Sequence, residues 1–152
     1  DVAILTANVS AVFQQLGHRD SYVRLAAVRL LSKLDTRLLS EHVNTLVKLL
    51  EDQDTNLRRT TLEMLCNLEP SVLAEHSSVI VQRLKDGEGQ TRLAALKLLC
   101  NLEPKVLAKL AVTIIQTLED PDPHVRRAAV RVFGQLQPAV LAEHTPAVTK
   151  QL

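Results

Sequence analysis

The sequence predicts an all-α protein: a right-handed solenoid of about four and a half stacked helix pairs, one pair every 34 residues. Three observations predict it. First, residue types recur at one fixed step with no insertion. Arg24, Arg58, Arg92 and Arg126 form one such series, Leu34, Leu68, Leu102 and Leu136 a second, and Leu16, Leu50, Leu84, Leu118 and Leu152 a third. Second, apolar residues within each step fall at helical spacing. Val125, Ala128, Ala129, Val132, Phe133 and Leu136 share one helical face. Third, hydrophobic residues make up 46% of the 152 residues, yet Phe13, Phe133 and Tyr22 are the only aromatics. Aliphatic residues and alanine must therefore build the core, which favours close-packed helices over a sheet. A lone helix pair cannot bury its apolar face, so neighbouring pairs must stack.

The elements follow in order. Each unit has a first helix, A, and a second, B. Val72, Leu73, His76, Val79, Ile80 and Leu84 mark one helix A. The turn Lys85-Asp86-Gly87 follows, and helix B then carries Thr91, Ala94, Ala95, Leu98, Leu99 and Leu102 inward. Asp120-Pro121-Asp122-Pro123 is the corresponding turn before the helix that ends near Leu136, and Pro138 is its stop signal. Carried through the chain, the pattern predicts helices near 3–16, 20–34, 37–51, 54–68, 71–85, 88–102, 105–119, 122–136 and 139–152. One domain is expected, with units near 1–34, 35–68, 69–102, 103–136 and a partial unit at 137–152. On the last helix Val140, Leu141, Val148 and Leu152 stand where a terminal repeat would carry a polar cap. That predicts further repeats beyond both ends, or ends that stick to something else.

Composition excludes several function classes. A net charge of +1 is not that of a general nucleic-acid binder. No apolar run approaches the ~20 residues of a membrane span, and DVAILTANVS lacks the basic start and apolar block of a signal peptide. Cys66 and Cys100, the only cysteines, point to a reducing, intracellular setting, cytoplasmic or nuclear.

Which helical repeat this is can be argued from residues. Tetratricopeptide units want Trp, Tyr and Phe at fixed places, and armadillo units carry a third helix. The sequence instead resembles the HEAT repeat. The matching residues are a turn Asp, an apolar residue five positions later and then Arg: Asp52-Leu57-Arg58, Asp86-Thr91-Arg92 and Asp120-Val125-Arg126. Ala26-Ala27, Ala94-Ala95 and Ala128-Ala129 follow in three units. His18 in the Asp slot, Thr91 in the apolar slot and Thr60-Thr61 in place of Ala-Ala depart from the pattern. Pro146 fills the proline slot of helix A, while Asn44, Ser78 and Val112 do not. The resemblance implies a non-catalytic scaffold whose second helices line a concave face and hold a protein partner, with no cofactor.

Four constellations bear on chemistry. The ladder of Asp52, Asp86 and Asp120 with Arg24, Arg58, Arg92 and Arg126 predicts structural stitching between or within units through bidentate pairs. The pairs Glu41-His42, Glu75-His76 and Glu143-His144 bring a HEAT-like metalloenzyme to mind, because deoxyhypusine hydroxylase resembles this architecture and uses repeated His-Glu pairs. Here the order is reversed, and Lys109-Leu110 breaks the set. Structural histidines and no metal site are expected. Cys66 and Cys100 occupy equivalent positions in adjacent units, ~10 Å apart by helix spacing, and are expected to stay reduced.

The fourth constellation is the outward ridge of helix B. It places Arg29, Lys33, Arg59, Lys97, Arg127 and Arg131 on one strip with a single acid, Glu63, and with Leu25 and Leu93 as apolar anchors. Such a strip attracts acidic protein partners. It has no aromatics for base stacking, which argues against a nucleic-acid-binding solenoid.

Overall fold

The computed structural model describes residues 2–136, and every regular element among them is helical. In chain order these are α1 (Val2–Ala7), α2 (Val9–Gln15), α3 (Ser21–Leu31), α4 (Thr36–Glu41), α5 (Val43–Lys48), α6 (Thr55–Leu65), α7 (Pro70–Glu75), α8 (Ser77–Gln82), α9 (Gly89–Leu99), α10 (Pro104–Gln116) and α11 (Pro123–Phe133). Helix B of the four units is α3, α6, α9 and α11. Each packs on the next to form one continuous layer. The A helices form the second layer, and a single contiguous apolar core runs between the two. The predicted helix at 139–152, Pro146 and the apolar residues Val140, Leu141, Val148 and Leu152 lie outside the described residues.

Helix A differs from the expectation. In three units it is not one helix but two short ones, broken at Asn8, His42 and His76. These residues have φ between −112 and −106 and ψ between 9 and 18, a sparsely populated bridge conformation. In the fourth unit Leu110 takes the same slot, and α10 runs unbroken from Pro104 to Gln116. Propensity accounts for the contrast: Leu favours the helix interior, whereas Asn and His are weaker formers there. Asn8 also turns its side-chain amide back onto the Ile4 carbonyl at 2.8 Å. The A helices end in 3₁₀ turns at Leu49–Glu51, Arg83–Lys85 and Thr117–Glu119. Those turns tighten the chain before it reverses.

Helix B starts where the sequence places it and ends three residues earlier, at Leu31, Leu65, Leu99 and Phe133. Asp20, Asp54 and Asp122 cap three of the four by accepting the backbone N–H of Tyr22, Leu57 and His124. Gly89 is the first residue of α9. A Cβ there would stand 2.8 Å from Asp122 Oδ2, so glycine lets adjacent units approach. Leu57, Thr91 and Val125 are buried in one slot and Met64, Leu98 and Val132 in another, and Val28, Leu62 and Leu96, outside the expected inward face, are fully buried as well, while Ala128 and Phe133 are half-buried.

Candidate functional site

The Asp–Arg ladder is built the same way three times. Arg24, Arg58 and Arg92 each send Nε and Nη2 to both carboxylate oxygens of the turn Asp in the following unit, at 2.6–2.9 Å. The pairs are Arg24–Asp52, Arg58–Asp86 and Arg92–Asp120. Each Arg Nη1 donates to two carbonyls of its own turn, His18 and Arg19 in the first unit, Asp52 and Gln53 in the second, Asp86 and Gly87 in the third. One guanidinium thus closes its own turn and clamps the next unit. The sequence left open whether the pair lies within or between units; the geometry makes it inter-unit.

The turn Asp has a second task. Asp52, Asp86 and Asp120 accept the backbone N–H two residues on, from Asp54, Glu88 and Asp122. His18 keeps that task in the first unit, because its Nδ1 accepts the N–H of Asp20 at 3.1 Å. Arg126 repeats the Nη1 contacts, to Asp120 and Pro121. Among the described residues no carboxylate meets its other donors, and Arg126 is exposed where Arg24, Arg58 and Arg92 are half-buried.

Ionisation follows from these contacts. The Asp120 carboxyl is held below its usual range by hydrogen bonds from Arg92 and despite the opposing effect of burial. At Asp86 burial pulls upward most strongly, yet the hydrogen bonds from Arg58 and the Glu88 N–H, with the nearby positive charge, leave it lowered. Asp54 is lowered chiefly by the backbone N–H of Leu57. The guanidiniums of Arg24, Arg58 and Arg92 are correspondingly raised by their Asp partners.

The ridge is a different surface. Arg29, Lys33, Lys97, Arg127 and Arg131 are exposed, and none makes an ion pair among the described residues. Arg59 does: its Nη1 lies 3.3 Å from Glu63 Oε1, one helical turn on. Leu25 corrects the expectation of an exposed anchor, because it is buried at 9% exposure and belongs to the core. Leu93 is half-buried and packs against the core while still reaching the surface. Between α9 and α11 lies an open groove of about 540 Å³ lined by Leu93, Lys97, Cys100, Asn101, His124, Arg127, Ala128 and Arg131. Asn101, in its lining, is held from behind by a bond from Nδ2 to the Cys66 carbonyl at 3.0 Å, across the preceding α6–α9 seam. His124 and Cys100 are additions that only the pairing of two helices reveals.

His42 packs on Phe13 with ring centroids 4.2 Å apart, and His76 sits at the α7–α8 break; His144 lies outside the described residues. Among the described residues no three His, Cys, Asp or Glu side chains gather as a metal would require. Cys66 and Cys100 are free thiols. Burial pushes the Cys66 thiol up to about 11 and raises Cys100 as well, so neither is an activated nucleophile. No described helix is long and apolar enough to cross a membrane.

Comparison with known proteins adds to this geometry. The family model for HEAT repeats matches residues 9–74 and 77–151. A search of curated proteins returns no match. Among solved structures the chain is similar to the designed armadillo repeat protein YIII(Dq)4CqI, with TM-score 0.74 and 20% identity over 90% of this chain and 69% of that one. It is similar to the designed armadillo repeat protein YIII(Dq.V1)4CPAF in complex with peptide (KR)4, with TM-score 0.72 and 17% identity over 98% and 77% of the two chains. It is also similar to Cex1p, with TM-score 0.62 and 23% identity over 91% of this chain and 28% of that one.

Proposed function

Since the chain belongs to the HEAT-repeat family, we propose that it is a non-catalytic interaction scaffold that holds an acidic protein partner along the face of its second helices. One observation carries this reading. Five exposed cations on that face, Arg29, Lys33, Lys97, Arg127 and Arg131, have no acidic partner among the described residues. Arg24, Arg58 and Arg92 of the ladder are paired with carboxylates, whereas these five have none among the described residues. A field of one sign speeds and orients encounter with the opposite sign. A designed armadillo repeat protein of similar fold was solved in complex with peptide (KR)4; the charge of the present ridge calls for the reverse. We take the chain as one cooperative domain in a reducing compartment, consistent with its free thiols.

The same reading includes further units on the outer side of α11. Val130 is 61% exposed, while Val28, Leu62 and Leu96 in the same slot are fully buried by the next unit. Arg126 beside it offers Nε and Nη2 to no carboxylate among the described residues. Both are the surface that another Asp-turned helix pair would cover.

The test is a capture experiment. The chain and a variant with Arg59, Arg127 and Arg131 changed to Glu are immobilised, both shown helical by circular dichroism, and bound proteins are identified and then rebuilt from purified components. A purified acidic protein that binds the parent and not the variant is the expected result. Equal binding to both would remove the ridge from the interaction.

A further inference from the structure

Positive charge is not spread evenly along the ridge. The middle is neutralised, because Glu63 pairs with Arg59. The slots equivalent to Glu63 in the next two units hold Lys97 and Arg131 instead. Charge therefore gathers in the α9–α11 groove, where Lys97, Arg127 and Arg131 stand with His124 and, among the described residues, none in the lining is acidic. The groove is not purely polar. Leu93, Cys100 and Ala128, each half-buried, give it an apolar floor. Asn101 is tethered by its amide nitrogen to Cys66, which leaves its carbonyl oxygen free to accept an N–H from a bound chain.

We propose that this groove is the primary docking subsite, and that it takes an extended peptide segment with clustered carboxylates around one aliphatic side chain. The proposal rests on the reading of the helix B face as the docking surface and narrows it to one seam. Charge complementarity selects the carboxylates. The floor selects the aliphatic side chain, since burying apolar surface in a groove adds favourable free energy that charge alone does not. A peptide fits better than a nucleic acid. The groove has no Phe, Tyr or Trp to stack a base, and Tyr22, the exposed member of that set, lies two helices away on α3.

The test uses the intact chain and a fluorescent peptide of glutamates flanking a central leucine, titrated by anisotropy at about 50 and 150 mM salt. Controls are the same peptide with lysines for glutamates and a single-stranded oligonucleotide of equal charge. Changing Arg127 and Arg131 to Glu is expected to weaken peptide binding by about tenfold or more, and changing Arg29 and Lys33 to Glu by less than about threefold. A second measurement uses the unmodified protein. Bound peptide should slow alkylation of Cys100 and leave Cys66, in the preceding seam, at its unliganded rate. Equal weakening by both variants, or equal protection of both thiols, would overturn the groove assignment while leaving the general ridge reading intact. Absence of peptide binding, or tighter binding of the oligonucleotide, would overturn it as well. Equal retention of the purified partner by the parent and the charge-reversed variant in the capture experiment would strike the ridge reading itself.

Discussion

At the scale of single residues, the chain separates groups that are satisfied from groups that are not. Thr91 is fully buried in a slot that holds Leu57 and Val125 in neighbouring units, and its hydroxyl has no partner among the described residues. Thr91→Val keeps the shape and removes the orphan hydroxyl, so it should raise stability by about 1 kcal/mol, read by urea unfolding. Leu98 is fully buried and Lys97 beside it is exposed. Leu98→Ala should cost about 2–5 kcal/mol, and Lys97→Ala less than about 0.5 kcal/mol. Equal effects in the same titration would contradict the face assignment. The sequence made these positions legible through helical spacing. It failed at Leu25, for a specific reason. That position is at the edge of the buried arc, where its equivalents are Arg59, Leu93 and Arg127. At an edge the side chain decides: Arg reaches outward to water, and Leu folds inward.

At the scale of elements, the ladder and the helix breaks differ in how far the sequence revealed them. The spacing of Asp and Arg was plain, but the direction of the clamp was not, because a repeat pattern fixes intervals and not which neighbour a long side chain reaches. The breaks at Asn8, His42 and His76 were hidden because the apolar periodicity of helix A continues across them. The clamp makes a graded prediction. Arg92→Ala would strand Asp120, whose side chain is 6% exposed, and should cost about 3–5 kcal/mol. Arg126→Ala removes only contacts to two carbonyls and should cost about 1 kcal/mol. Thermal or urea unfolding of the two variants side by side checks the ranking; equal losses would mean that the inter-unit carboxylate contributes little.

At the scale of the whole molecule, the ladder ties stability to pH. The ladder carboxylates Asp86 and Asp120 are depressed in the folded protein, as is the helix cap Asp54. Their contribution is fully present above the unfolded value of about 4, and it is lost as pH falls through the lower folded values. Unfolding midpoints should therefore be flat with respect to these groups near neutral pH and drop below about pH 4. A variant with Asn at Asp86 and Asp120 should be less stable at neutral pH and lose less on acidification. The fold itself was legible because a solenoid writes the same contacts four times. The docking groove was only half legible. Its cations could be counted along one helix, but the groove exists only where α9 meets α11, and the neutralising Glu63–Arg59 pair shows that a count of charges is not a map of them.

The central claim is that a partner sits on the helix B face, and amine footprinting tests it most directly. Lys33, Lys48, Lys85, Lys97, Lys105 and Lys109 are all exposed, and only Lys33 and Lys97 lie on the ridge. The purified partner identified by capture is bound, accessible amines are acetylated, and each lysine's labelling is measured by mass spectrometry against the free protein. The account predicts protection of Lys97 first, then Lys33, with Lys48, Lys85, Lys105 and Lys109 labelled as before. Protection of Lys105 and Lys109 on α10, with Lys97 still fully labelled, would contradict it and place the partner on the opposite layer.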